Sequence, residues 1–246
     1  MNSKAFTIVL KKTSMLSKNV KSLIFKIKNE KYAFSYKPGQ FITIFFNYKN
    51  QIIKRSYSIA NIPNEKKYIE IAVSYVKNGL ATDILFNLKY NECLNINGPF
   101  GRLILKTNDQ TFKRYIFLAT NTGIAPYRSM INELKTKLEC NKDLKIIILQ
   151  GVKTREDILF KNEFIEFSKK YPQTLFKACF SQEKNILNHY EFLGYVQNAL
   201  INLNLNAKND IIYLCGNPNM INQSTTILKK IGFESQQIIR EKYISK

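Results

Sequence analysis

The feature that most restricts the fold of this chain is a change of texture near residue 111. Before it, short β-rich runs at 5–10, 20–27, 41–46, 54–60, 68–75 and 93–96 are separated by turn residues, and a further run at 103–105 follows Gly98-Pro99-Phe100-Gly101. One helix-like stretch, 80–88, interrupts them. Strands at this spacing predict a small antiparallel barrel or sandwich. Beyond residue 111, apolar strands at 115–119, 145–151, 175–180 and 211–215 alternate with amphipathic helices at 125–138, 160–169, 190–203 and 218–231, and a last strand is expected at 237–243. Alternating βα units predict a parallel sheet with helices on both faces. Two domains are therefore expected: an N-terminal antiparallel β-barrel over 1–107 and an α/β parallel-sheet domain over 108–246, joined within 106–113.

Composition closes off several classes. The longest apolar runs, 41–46 and 146–149, fall far short of the roughly 20 residues that span a bilayer, so no membrane association is expected. The first ten residues carry one lysine and an apolar stretch cut off by Lys11-Lys12, without the core and cleavage site of a signal peptide. Cysteines 93, 140, 179 and 215 form no C-x-x-C pair; a metal site is not expected, and the reading is a reduced, cytoplasmic, monomeric protein. The net charge of +20, from 38 basic and 18 acidic residues, steers anionic partners toward the chain. All but six of the basic residues are lysine, in a sequence also rich in Asn and Ile, as an AT-rich genome produces. The lysine excess thus stays open between a docking surface and compositional bias. With no block of five basic residues and no RNA-binding signature, nucleic acid is not an expected partner.

Function in an α/β domain is sought past the carboxyl ends of its strands. The first strand runs into Thr120-Asn121-Thr122-Gly123-Ile124-Ala125-Pro126. Gly123 permits a tight turn, Thr122 offers a hydroxyl, and Pro126 marks a helix start whose N–H groups favour a phosphate. The last βα turn, Cys215-Gly216-Asn217-Pro218-Asn219-Met220, repeats the idea. Two such turns suggest a binding crevice, although Cys215 by itself reads as a small buried packing residue. In the barrel half, Arg55-Ser56-Tyr57-Ser58 lies on a strand, with Arg55 and Tyr57 sharing a face. A guanidinium suits a pyrophosphate, an aromatic ring covers a flat heterocycle and a hydroxyl donates to a ring nitrogen, which are the needs of a flavin dinucleotide.

Taken in order, these segments resemble the ferredoxin–NADP⁺ reductase superfamily in its compact bacterial form. Lys37-Pro38-Gly39-Gln40-Phe41 is similar to the family's P-G-Q-F, Arg55-Ser56-Tyr57-Ser58 to its R-x-Y-S/T, and Gly79-Leu80-Ala81-Thr82-Asp83-Ile84-Leu85 to its G-x-x-S/T-x-x-L. Gly98-Pro99-Phe100-Gly101 is similar to G-P-F/Y-G, Thr122-Gly123-Ile124-Ala125-Pro126 to T-G-I-A-P, and Cys215-Gly216-Asn217-Pro218-Asn219-Met220 to C-G-x-P-x-M. Glu241-Lys242-Tyr243 resembles the terminal E-x-Y, followed here by Ile244-Ser245-Lys246. The resemblance implies FAD on the barrel, bound by Arg55, Ser56, Tyr57, Ser58, Gly79, Leu80, Ala81 and Thr82. It implies a nicotinamide nucleotide bound by Thr120, Thr122, Gly123, Ser181, Gln182, Cys215, Gly216, Asn217, Pro218 and Met220, with Tyr243 over the flavin. Ser58, Cys215, Glu241 and Tyr243 are the residues it assigns to catalysis.

Three departures bear on the implied activity. Asn121 stands where the family has Gly, and Gln182 follows Ser181 where NADP-specific members often have Arg. Lys153, Arg155 or Lys184 are candidate substitutes for that Arg, whereas Glu183 repels a phosphate. The chain carries no plant-type ferredoxin cysteine cluster, so the electron carrier is expected to be a separate molecule. The resemblance favours NADP(H) over NAD(H), and implies hydride transfer from nicotinamide C4 to flavin N5 followed by one-electron steps to a small acidic carrier, ferredoxin or flavodoxin. The alternatives are the reductase component of an oxygenase, a free-flavin reductase, or, more distantly, a non-enzymatic redox sensor. His189, the only histidine, lies away from every motif, so histidine acid–base catalysis is not expected.

Overall fold

The computed structural model describes residues 5–28, 34–63, 68–106 and 112–243. The chain divides into two compact units, Met1–Ile104 with Ala125–Met130, and Leu105–Ile124 with Ile131–Lys246. The expected boundary at 107/108 lies three residues from the first of these divisions; the return of 125–130 to the first unit has no counterpart in the sequence reading.

The first unit is built from β1 (Ala5–Ser17), β2 (Val20–Ile27), β3 (Phe41–Tyr48), β4 (Gln51–Ser58), β5 (Tyr68–Ser74), helix α1 (Leu80–Asn87) and β6 (Cys93–Phe100). Its six strands are antiparallel in the order β4-β3-β6-β1-β2-β5. The two edges meet at an antiparallel bridge between Ile59 and Ile71, where the Ala60 N–H donates to the Glu70 carbonyl at 2.8 Å, and this closes the barrel. Alternate residues point inward, as the period of a strand requires: Phe6, Ile8 and Leu10, then Leu23, Phe25 and Ile27, then Ile42, Ile44 and Phe46, with Ala81 and Leu85 of α1 in the same core. The run 103–105 is not a strand. Leu103 is buried with its carbonyl where a Cβ on Gly39 (φ +94°) would come within 1.8 Å, so this carbonyl abuts the Gly39 turn.

The second unit contains β7 (Arg114–Thr120), β8 (Lys145–Val152), β9 (Thr174–Phe180), β10 (Glu191–Leu193), β11 (Asp210–Gly216) and β12 (Ile238–Lys242). All pair in parallel, in the order β10-β9-β8-β7-β11-β12. Helix α2 (Ala125–Ser129) precedes α3 (Ile131–Cys140), α4 (Lys161–Lys170), α5 (Val196–Ile201) and α6 (Pro218–Ile231). One face of the sheet, Ile116, Leu118, Ile147, Leu149, Ile212 and Leu214, packs on α5 and α6; on β9 the opposite parity is covered by α4, with the Phe164 and Phe176 rings stacked at 5.4 Å. The strand order reverses between β7 and β11, which makes their carboxyl ends the place for a ligand.

Two helices differ from expectation. The predicted helix 125–138 is split: Met130 N–H bonds back to the Tyr127 carbonyl (3.2 Å), and 125–130 belongs to the first unit. The predicted helix 190–203 is a short strand followed by α5, because Gly194 takes a left-handed φ of +118° and Glu191 is buried in the β9 pairing.

Arginine–carboxylate pairs pin each unit. In the second, Asp210, 1% exposed, takes both Arg114 Nε (2.9 Å) and Nη2 (2.6 Å), while Arg114 also donates to the carbonyls of Leu203 and Asn204. In the first, the Glu70 carboxylate accepts from Ser22 Oγ and Arg128 Nη1, each at 2.6 Å, and Arg128 Nη1 reaches the Ala60 carbonyl at 3.3 Å. Ser129 Oγ accepts from the Gly39 N–H at 2.9 Å. Removing one partner of a largely buried pair leaves the other charge uncompensated, so Glu70→Ala is expected to lower stability by about 3 kcal/mol and Glu70→Gln by less. Urea unfolding midpoints of the three proteins check this, and an unchanged midpoint for Glu70→Ala contradicts it.

Candidate active site in two halves

In the second unit the two expected turns interlock at the strand-order reversal. Asn121–Ile124 is a 3₁₀ turn after β7. A Cβ on Gly123 would lie 2.4 Å from the Cys215 carbonyl oxygen, and one on Gly216 (φ +120°) would lie 2.4 Å from Thr120 Oγ1. Only glycine permits this approach at either position. The Asn217 N–H donates to Thr120 Oγ1 at 2.8 Å, while the Asn217 side chain caps α6 by accepting from the N–H groups of Asn219 and Met220, with Pro218 in the first turn. Asn121 sits at φ +49°, a conformation that glycine takes freely and asparagine tolerates, so the departure from the family's glycine keeps the turn. Thr122 and Met220 are buried, and Met220 packs in the sheet core.

Cys215 is wholly buried, at the end of β11 and in register with Glu241 on β12. Burial pushes its thiol well above the usual range, the Glu241 carboxylate adds to this, and a side-chain hydrogen bond with Tyr243 works against both. The thiol therefore stays protonated near neutral pH and is no nucleophile. The Tyr243 N–H donates to the Gly216 carbonyl at 2.8 Å, so the expected terminal residues Glu241 and Tyr243 stand beside the second turn. Ile244-Ser245-Lys246 lie outside the described residues.

Past β9, Ser181 and Gln182 are exposed, and their N–H groups continue the pairing with Val152 and Lys153 carbonyls at 3.1 and 3.0 Å. Arg155, a candidate phosphate partner, is held by two acids: its Nη1 donates to Glu183 at 2.7 Å and its Nη2 to Glu191 at 2.8 Å. His189 is exposed.

In the first unit, Arg55 and Tyr57 pair across the sheet with the core residues Ile44 and Ile42, so both face inward on the edge strand β4, half-buried at its rim. Tyr57 packs against the barrel core, and burial raises its phenol pKa against the opposing effect of the Arg55 charge, which keeps the ring neutral. Ser56 shares a hydroxyl contact with Thr43 (3.0 Å), and Ser58 is buried at the strand end. Gly79 precedes α1, beside Leu80 and the buried Ala81. Thr82 Oγ1 donates to the carbonyls of Gly79 (2.8 Å) and Val76 (3.1 Å), so this hydroxyl shapes the turn. A guanidinium, an adjacent aromatic ring and a rigid turn before a helix N-terminus fit the phosphates and the flat ring of a flavin dinucleotide.

Sequence reasoning missed Glu70 and Glu191, the acids that hold Arg128 and Arg155. Their signal was a lone carboxylate inside an apolar strand run, since a buried acid requires a partner. Among the described residues, no cluster of His, Cys, Asp or Glu is placed to hold a metal ion, and no helix is long and apolar enough to cross a membrane.

Sequence profiles of two families match the chain: the oxidoreductase FAD-binding domain over residues 7–104 and the oxidoreductase NAD-binding domain over 117–226. A flavodoxin/ferredoxin–NADP reductase from Buchnera aphidicola subsp. Baizongia pistaciae (strain Bp) is 31% identical over 200 residues, or 77% of this chain and 78% of that protein. The chain belongs to the ferredoxin–NADP reductase superfamily. As a member it is an oxidoreductase that uses FAD and a pyridine nucleotide. It is also similar to the phenol hydroxylase P5 protein of Acinetobacter pittii (strain PHEA-2), with 27% identity over 85% of this chain and 58% of that protein. The solved ferredoxin NADP⁺ reductase of Neisseria gonorrhoeae shares the fold, with a TM-score of 0.84 at 18% identity, covering 99% of this chain and 100% of that one.

The interlocked turns generate a direct test. Gly216→Ala introduces both an unfavourable φ and a clash with Thr120, whereas Gly232→Ala, at φ +101° with nothing within 4 Å, introduces the strain alone. Backbone strain of this kind costs on the order of 1–3 kcal/mol. Gly216→Ala is expected to lose more stability than Gly232→Ala and also to weaken nucleotide binding. Equal losses in denaturant midpoint, with nucleotide affinity intact in both, contradict the assignment.

Proposed function

We propose that this chain carries electrons from a reduced pyridine nucleotide, through FAD, to a small acidic one-electron carrier of the ferredoxin or flavodoxin kind. The observation that carries the reading is the pairing, on one inward face of the edge strand β4, of Arg55 and Tyr57, with Ser58 at its end. FAD, when bound, supplies the hydride acceptor and the change from two-electron to one-electron chemistry. The protein binds and orients. Arg55 neutralises the pyrophosphate, Tyr57 covers one ring face, and Ser58 offers a hydroxyl to the reacting edge. The glycine-tight turns at Thr122-Gly123 and Gly216-Asn217 receive the nucleotide, with Cys215 shaping the floor and Tyr243 tethered beside it through its own N–H.

The name of the Buchnera relative supports a ferredoxin or flavodoxin carrier. The phenol hydroxylase P5 relative supports the second reading, a reductase that serves an oxygenase. Both readings share the flavin and nucleotide roles and differ in the carrier. The expectation of NADP(H) over NAD(H) comes from resemblance to the compact bacterial reductases and is supported by the name of the Buchnera relative, while the charges around Arg155 point the other way.

Purified protein is expected to show flavin absorbance, and Arg55→Ala to lose FAD on dialysis far more readily than the parent, because the pyrophosphate loses its bidentate partner. Full flavin occupancy in dialysed Arg55→Ala contradicts the role. If the +20 charge docks an acidic carrier, the rate of carrier reduction falls steeply with salt, as the Debye length shrinks from about 10 Å at 0.1 M to about 3 Å at 1 M. Reduction of a neutral quinone is expected to change little. Equal salt sensitivity for carrier and quinone assigns the lysines to composition.

A further inference from the structure

In the barrel, β2, β1 and β6 lie side by side, and β4, which carries Arg55–Ser58, lies beyond β3 in the strand order. Val9 of β1 is in register with Lys26 on one neighbour and with Cys93 on the other. Residues in register share a face of the sheet, so an ammonium and a thiol flank the same valine. That face is the outer one, because the alternate residues Ile8, Leu10, Phe25, Ile27 and Ile96 fill the core. A groove of about 370 Å³ opens there, and its lining includes Val9, Lys11, Lys26, Lys28, Asn91 and Cys93.

Two features bring charge and sulfur together in this groove. The β1–β2 register slips between Leu10 and Lys12, which makes Lys11 an extra residue on β1. A bulge of this kind re-aims its side chain. Lys11 Nζ donates to Asn91 Oδ1 at 2.7 Å, and the Cys93 thiol donates to the Asn91 carbonyl at 3.8 Å. Ammonium and thiol thus share one asparagine, itself held at φ +68°. Lys26 and Lys28 supply two further cations from the opposite side of β1. Glu92, the acid next to Cys93 in the chain, turns its carboxylate onto the Lys89 N–H at 2.8 Å.

Of the four cysteines, 179 and 215 are buried and 93 and 140 are exposed. Cys140 ends α3 directly after Glu139, whereas Cys93 lines a groove with three lysines. A partly exposed thiol in electropositive surroundings is the setting in which cysteine chemistry becomes selective. A cleft lined by one sign of charge also raises the local concentration of the opposite ion.

We propose that this groove recognises an anionic low-molecular-weight disulfide, of the glutathione type, and that Cys93 is its site of attachment. In the step, the Cys93 thiol gives its proton to solvent and its sulfur bonds to one sulfur of the disulfide. The disulfide's S–S bond breaks, and the leaving half departs with the bonding pair as a thiolate. Cys93 is oxidised, the small disulfide is reduced, and no further oxidant enters. The carboxylates of the attached half are left within reach of the groove's ammonium groups, and a free small thiol reverses the modification. The groove shares no residue with the candidate flavin and nucleotide sites, so the inference stands apart from the choice of electron carrier.

The test treats the FAD-loaded protein with oxidised glutathione, which is anionic, with cystamine, which is cationic, and with the neutral bis(2-hydroxyethyl) disulfide. Early modification of Cys93 and of Cys140 is read by peptide mass mapping, with Cys140 as the internal reference. At low salt the ratio of Cys93 to Cys140 modification is expected to be about tenfold higher with oxidised glutathione than with cystamine, through electrostatic steering, with the neutral disulfide between them. The preference is expected to fade toward about 1 M salt, where the Debye length is about 3 Å. In Lys26→Gln/Lys28→Gln it is expected to shrink at low salt as well. Flavin absorbance and the thermal midpoint check that this variant folds, and the single variant Lys28→Gln, at an exposed position, is expected to show a smaller loss in the same direction. A ratio independent of disulfide charge, a ratio unchanged in both variants, or the absence of any adduct on Cys93 overturns the inference. The flavin and nucleotide reading is untouched by each of those results.

Discussion

The close approach of two backbone turns at the centre of the parallel sheet is the constraint on which the nucleotide half of the site depends. Gly123 lies against the Cys215 carbonyl and Gly216 against Thr120, at separations that exclude any side chain. The contact follows from strand order. β7 and β11 are hydrogen-bonded parallel neighbours at the strand-order reversal, so the turns that follow them lie side by side at one edge of the sheet. Everything nearby is arranged around that contact: Thr120 Oγ1 accepts from Asn217, Asn217 caps α6, and Tyr243 is tied to Gly216 through its N–H.

Arginine and lysine have separate tasks in this chain. Three of the six arginines, at 114, 128 and 155, are clamped to buried or largely buried carboxylates and also hold backbone carbonyls. The planar fork of the guanidinium suits such multidentate contacts, which a compact, strongly hydrated ammonium serves less well. The lysines lie mostly on exposed positions, and several rest over aromatic rings, such as Lys11 over Tyr90 and Lys21 over Phe86. The high positive charge is thus a property of the surface, and the fold depends on a small number of arginines.

Ionisation supports an active site that positions rather than performs acid–base chemistry. The Cys215 thiol is pushed up by burial, the Tyr57 phenol likewise, and the lone histidine is exposed. The Cys215 and Tyr57 side chains stay neutral near pH 7 and supply shape, apolar cover and hydrogen bonds, as a cofactor-driven oxidoreductase requires.

The linear sequence was sufficient for the two-part architecture, for most strands, for α6 and for the two turns, because each depends on local period or on a glycine, proline or capping residue at a fixed offset. It also placed Arg55 and Tyr57 on one face, since alternation along a strand is local. What it left undecided depends on partners distant in the chain. The helix expected at 190–203 gave way to β10 because Glu191 meets Arg155, 36 residues away, and Gly194 turns the chain. Residues 125–130 joined the first unit through Arg128 and Glu70, 58 residues apart, and Ser129 and Gly39, 90 apart. Thr82 turned its hydroxyl onto its own loop. Arg155, read from the sequence as a cation open to a phosphate, became the closed centre of an ion cluster. Local pattern specifies which side chains a segment presents; only the tertiary structure determines which of their charges and hydrogen-bonding groups are already matched, because that balance is struck between residues the sequence keeps far apart.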